Sequence, residues 1–239
     1  MKRGSGCSFS GKHYELQIYN IVKRCYLNGR PFNVQRECDL GGCGAKNDIE
    51  CLMGNVSVAI EIKRKNTPDW MQCSLNYDGD KWVGSPRQKI PKKSKELFEQ
   101  LLCDATLFHH KIPPFMLKDV THEEWLSVKR ETTDFNDMYL DCPDDTIQTL
   151  YAHKKCSYIQ ISDKGLYHLG DDLCKFKVPE FKIDQQLRIR TKIHKTKNAK
   201  GFCKLSVTVS CQPKHIQDLM KSPYSLDGVL PVNLIYANR

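Results

Sequence analysis

Two carboxylates and a lysine carry the chemistry of this chain: Asp48, Glu61 and Lys63. Val56–Lys63 reads as a strand with Val56, Val58, Ile60 and Ile62 on one face. Side chains alternate across a strand, so Glu61, Lys63 and Lys65 share the other face. A central strand gives that face to a carboxylate and an ammonium only at a desolvation cost, which marks the position as functional. Met53-Gly54-Asn55 is a turn, and Asp48-Ile49-Glu50-Cys51 alternates before it, so the two segments can pair as a hairpin. That hairpin brings Asp48 or Glu50 beside Glu61 and Lys63. Paired carboxylates hold a hard divalent cation, and a neighbouring lysine sits near the water or the scissile phosphate. The chemistry they suit is metal-assisted attack on a phosphodiester. The bland alternative is a hairpin with a solvated Glu/Lys face, as edge strands often carry.

Asp48, a twelve-residue gap and then Glu61-Ile62-Lys63 resemble the PD-(D/E)xK nucleases, the restriction-endonuclease-like superfamily. The resemblance spans about the first hundred residues, with a leading helix, three strands and a following helix. It implies an α/β fold with a mixed central sheet flanked by helices, here followed by a strand-rich C-terminal third. It also implies Mg²⁺ or Mn²⁺ held by Asp48, Glu61 and the carbonyl oxygen of Ile62, with Glu15 reaching the site from the first helix. Lys63 would orient or help deprotonate the attacking water. The implied activity is endonucleolytic rather than exonucleolytic, on DNA ahead of RNA, leaving a 5′-phosphate and a 3′-hydroxyl. Asn47 departs from the pattern, standing where the family has proline. Gln72 occupies a place where exonuclease-like branches carry glutamine; otherwise it is a polar loop residue.

Several elements must position these groups. Tyr14, Ile18, Ile21, Val22 and Cys25 recur at helical spacing, predicting a helix over 12–25 that Asn28-Gly29-Arg30-Pro31 stops. Residues 32–37 are expected to form the first strand. Residues 69–77 are expected to be a short helix or a loop that packs Trp70. Ser94 caps a helix over 95–109 with Leu97, Phe98, Leu101, Leu102 and Ala105 buried. Thr121-His122-Glu123-Glu124 has capping-box form, and a further short helix after Pro143 turns Ile147, Leu150 and Tyr151 inward. Residues 158–161 and 166–169 flank Asp163-Lys164-Gly165, a hairpin signal. Residues 187–194 and 202–209 alternate strictly. These features suggest a nuclease core over 1–150 and a strand-rich part over 151–239, either a separate domain or further strands of one sheet.

The chain has 239 residues, a net charge of +9, and 40% hydrophobic and 27% charged residues, an ordinary globular composition. The 119–145 stretch holds nine acids against Lys129 and Arg130, a local −7 that leaves +16 for the rest. A basic body with one acidic segment suits a nucleic-acid binder. Lys12, Arg64, Lys65, Arg188, Arg190 and Lys192 are the expected contacts; the last three alternate on one strand face. A second reading is therefore a nucleic-acid-binding protein without catalysis, in which Glu61 and Lys63 form a plain salt bridge. A third is a cysteine-rich interaction protein.

The twelve cysteines are expected to be mostly reduced and buried, with a zinc site from Cys38, Cys43 and Cys51 as the alternative. Met1-Lys2-Arg3-Gly4-Ser5 leads into no apolar run, and no stretch is apolar enough to span a membrane, so an intracellular setting is expected. A homo-oligomer is left open. Gly6–Lys12 fits the phosphate-loop pattern but lacks the Ser or Thr after the lysine and a strand before it. Its milder reading is a phosphate contact at a helix N-terminus. His109-His110 reads as a helix C-cap rather than a metal pair.

Overall fold

The computed structural model describes residues 5–27, 30–34, 47–53, 55–67, 69–77, 81–104, 120–131 and 136–227. It is mixed α/β, with two five-stranded sheets. The chain divides into two compact units, and neither is contiguous. Unit 1 comprises Met1–Pro68, Gln148–Asp184 and Lys214–Arg239; unit 2 comprises Asp69–Ile147 and Gln185–Pro213. The composition of the sequence suggests one boundary near residue 150. Instead the C-terminal third contributes strands to both units.

Unit 1 begins with helix α1 (Ser5–Val22), whose Ile18, Ile21 and Val22 are buried as their spacing predicts. A two-residue pair, β1 (Tyr26–Leu27) and β2 (Arg30–Pro31), follows. The main sheet then runs through β3 (Asn33–Val34), β4 (Ile49–Met53) and β5 (Val56–Lys63) as an antiparallel meander. The predicted first strand over 32–37 is thus seen at Asn33–Val34, and residues 35–37 lie outside the described residues. Strands β9 (Tyr158–Ile161) and β10 (Gly165–His168) complete the order β10-β9-β5-β4-β3, with β9 parallel to β5 and β10 antiparallel to β9. One face of this sheet (Ile49, Cys51, Val58, Ile60 and Ile62) shares a core with α1. The turn before β10 uses Gly165 at φ +108, where a Cβ would lie 2.4 Å from the Tyr224 carbonyl oxygen. Only glycine meets both demands.

The sheet of unit 2 has the order β7-β6-β12-β11-β8. Its strands are β6 (Met71–Tyr77), β7 (Trp82–Gly84), β8 (Met138–Asp141), β11 (Gln185–Lys197) and β12 (Cys203–Pro213). The long β11–β12 hairpin is the one that alternation predicts. Strand β6 corrects the expected helix or loop over 69–77: Met71, Cys73 and Leu75 are buried at period two, and Trp70 is buried just before them. Helix α2 (Lys92–Asp104) buries Phe98 and Leu102 and packs on β6 and β7. Expected beside the Asp48 sheet, it belongs to unit 2 instead. Helix α3 (His122–Glu131) opens with the predicted capping box. The Thr121 amide donates to Glu124 Oε2 at 2.6 Å, and the Glu124 amide donates to Thr121 Oγ1 at 3.1 Å. Helix α4 (Thr146–Ala152) carries Ile147, Leu150 and Tyr151 inward as expected. No helix among the described residues is long and apolar enough to cross a membrane.

Candidate metal centre

From Val58 to Ile62 strand β5 is buried on both faces, and Glu61 is 3% exposed. Ile49 pairs with Ile60, so extending that register by one residue sets Asp48 opposite Glu61. Opposite residues of an antiparallel pair share a face. Asp48 sits just before β4, and its Oδ2 accepts the Ile62 amide at 2.8 Å, which fixes the carboxyl against the end of β5. Lys63 lies two residues on from Glu61 and donates to its Oε1 at 2.6 Å. The structure thus places Asp48, Glu61 and Lys63 in one unit, at one end of one hairpin. Glu50 pairs with Ala59, one step further along the same face, and accepts from Asn47.

Three groups that sequence reasoning missed complete the arrangement. Lys154, just past α4, donates to Glu61 Oε2 at 2.7 Å and is itself buried. Tyr151 lies beneath both ammonium groups, at 5.7 Å for Lys63 and 5.5 Å for Lys154. The Cys156 thiol donates to Asn47 Oδ1 at 2.8 Å and lies 3.7 Å from Glu61 Oε2. Asn47, the departure from the family pattern, therefore ties the start of β4 to the α4–β9 connection. The only sequence signal for this group was the inward-facing Tyr151, three residues before Lys154. Nothing local marks Lys154 as buried, because its counter-ion is 93 positions away.

Electrostatics follow from crowding four charges into little water. Burial, and then the charge of Glu61, push the Asp48 carboxyl up to about 7, with Glu15 adding in the same direction. Burial also pushes Glu61 up, but Lys63 and Lys154 together outweigh it and hold its carboxyl below the ordinary value. Burial favours neutral lysines, yet the Glu61 carboxylate keeps both ammonium groups charged. A buried carboxylate and a half-buried one that resists ionisation beside it fit a divalent cation, which would relieve that repulsion. The donors are hard oxygens. Among the described residues no cluster of three His, Cys, Asp or Glu surrounds the place. Mg²⁺ is nonetheless commonly held by one or two carboxylates, with water and substrate phosphate filling the rest.

Glu15 is half-buried on α1, and its charge reaches Asp48. Gly6 to Lys12 is helical, so the phosphate-loop reading lapses; the segment forms the first two turns of α1, with Lys12 at the end of the second. Arg64 follows β5 and is half-buried. Lys65 is paired with Asp163 at 2.7 Å. In unit 2, Arg188, Arg190 and Lys192 do alternate on β11, but the face is not purely basic. Asp69 contacts Arg188 at 3.5 Å and Arg190 at 2.7 Å, and Asp137 contacts Arg188 at 2.6 Å. The run is free of acids in sequence and not in space. Lys192 is exposed. Gln72 is on β6 in unit 2, where its carbonyl accepts from Gln88. Cys51 is a buried free thiol; Cys38, Cys43, His109 and His110 lie outside the described residues. Comparison with family models, curated proteins and solved structures found no match.

Proposed function

We propose that this chain is a metal-dependent nuclease of restriction-endonuclease-like fold that hydrolyses phosphodiester bonds, with DNA ahead of RNA as substrate. The observation that carries the reading is Asp48 opposite Glu61 on a buried sheet face, with Lys63 at its end. The order of elements supports it: α1, the β3–β4–β5 meander, then α4 and a strand parallel to β5. Asp48, Glu61 and the Ile62 carbonyl would hold Mg²⁺ or Mn²⁺, with Glu15 near enough to add charge. When bound, such an ion polarises a phosphoryl oxygen and makes water a better nucleophile. Lys63 orients that water or offsets charge that builds on the phosphate. Asp48, pushed up to about 7, is shared between its protonated and ionised forms near neutrality, and a cation beside it would favour the ionised form. Lys192, Arg64 and Lys12, which form no ion pair among the described residues, would contact phosphates.

Purified protein should cut plasmid or single-stranded DNA only with Mg²⁺ or Mn²⁺, and Asp48→Ala and Glu61→Ala should each abolish cutting while folding persists. A second reading has one observation in its favour. Both Glu61 oxygens already hold an ammonium group, which suits a nucleic-acid-binding protein whose charge network is closed without metal. Gel-shift binding with no cleavage under any divalent cation would establish that reading and sink the first.

A further inference from the structure

We propose that Lys154 is a positioning residue for Glu61, a built-in counter-cation that fixes one carboxylate oxygen and leaves the other to exchange its partner. The inference rests on the nuclease reading and concerns the same site. Glu61 has two oxygens and two ammonium partners, and the partners differ. Lys154 binds Oε2 at 2.7 Å with its side chain 6% exposed, whereas Lys63 binds Oε1 at 2.6 Å with 13% exposed.

Lys154 is further held by its surroundings. Its backbone amide donates to the Tyr151 carbonyl at 3.0 Å, closing the turn after α4, and its ammonium group lies over the Tyr151 ring. The Cys156 thiol stands on the same Oε2 side of Glu61. Lys63 lies over the same ring at 5.7 Å, but it ends its strand and its side chain is the more exposed of the two. A long ammonium side chain at the more open end of the site can swing away, while one held by the turn after α4 stays. With Oε2 held by Lys154, Oε1 is the Glu61 oxygen left to hold a cation, and Lys63 is the ammonium group that would turn to the water or phosphate.

The charges also have a consequence. Even with Asp48 ionised, Asp48 and Glu61 are only matched by Lys63 and Lys154, so the site offers a cation no net negative charge. Lys154 thus opposes divalent binding while it orients the ligand. At a separation of a few ångströms the repulsion outweighs the cost of losing one orienting contact. Removing the charge should tighten the cation and spoil its placement.

The test is Mn²⁺ calorimetry on the full chain without nucleic acid, paired with cleavage kinetics. Lys154→Gln keeps an N–H donor for Oε2 but has no charge, Lys154→Met removes both, and Lys154→Arg keeps the charge. The expected results are Mn²⁺ binding at least about tenfold tighter in Lys154→Gln than in wild type, and near wild type in Lys154→Arg. In Lys154→Met kcat should fall with KM little changed, and Lys154→Arg should restore it in part. Unchanged or weaker Mn²⁺ binding in both neutral variants would overturn the proposal and leave the nuclease reading standing. So would failure of both neutral variants to fold, since Lys154 would then be a structural ion pair only. Absence of Mn²⁺ binding in wild type and all variants would instead sink the metal reading itself.

Discussion

Replacing Asp48 by Asn should make the metal-free protein more stable, and only above a certain pH. Burial beside Glu61 raises the Asp48 carboxyl from 3.8 to about 7 in the folded chain. Below the unfolded value both states hold the proton and Asp48 contributes no penalty. Between 3.8 and 7 the unfolded chain releases it while the folded chain does not, so stability falls progressively as pH rises and levels off above about 7. A shift of this size corresponds to roughly 4 kcal/mol at the upper limit. Part of the side chain remains at the surface, and the Ile62 amide favours the charged form, so we expect about half, ~2 kcal/mol. Asn can keep the bond from the Ile62 amide, which limits packing effects. Urea unfolding with a chelator present, followed by far-ultraviolet circular dichroism at pH 4 and pH 8, measures the difference. Tryptophan fluorescence would report the wrong unit, since Trp70, Trp82 and Trp125 all belong to unit 2. The variant should match wild type within about 0.5 kcal/mol at pH 4 and exceed it by ~2 kcal/mol at pH 8. A gap that is the same at both pH values, or a variant less stable at pH 8, would refute the argument.

Lys63→Ala should slow cleavage by ~10²–10⁴-fold while retaining Mn²⁺ affinity, as single-turnover rates and calorimetry can show. Changing Arg188, Arg190 and Lys192 together to Gln should flatten the slope of log K against log salt by about one to two units. That is less than three free contacts would give, because Asp69 and Asp137 already engage the arginines. Asp69→Asn should release both arginines and strengthen DNA binding at low salt; an unchanged affinity in gel shifts would place the nucleic acid elsewhere. Gly165→Ala should cost at least about 2 kcal/mol in thermal or urea unfolding, since it combines a positive φ with a backbone clash.

Local signals were readable in the sequence and long-range ones were not. Strand β5, the capping box at Thr121 and both C-terminal hairpins follow from period and turn chemistry in contiguous stretches of sequence. The Asp48–Glu61 pairing was legible for the same reason, since one hairpin brings the two together. Strand β6 was misread because Trp70 and the flanking polar residues obscured a period-two run of only three apolar side chains. Lys154 had no readable signal, because its burial depends on a carboxylate in another segment. Neutralisation of Arg188 and Arg190 was likewise invisible, as Asp69 is 119 positions from the first and 121 from the second. The division into units escaped notice because the chain enters unit 2 twice, and no Gly- or Pro-rich linker marks the crossings.

That interleaving has a consequence for how the protein is made. Strand β5 emerges with Asp48, Glu61 and Lys63, but its parallel neighbour begins at Tyr158. At ~5–20 residues per second, the roughly 95 intervening residues take about five to twenty seconds to synthesise. Through that interval the growing chain holds Glu61 without Lys154, and the β9 side of β5 has no partner strand. An unpaired edge of that kind invites pairing with other chains. Nascent fragments ending before residue 154 should therefore be the aggregation-prone species, and slowing translation late in the message should harm yield less than slowing it between the two strands.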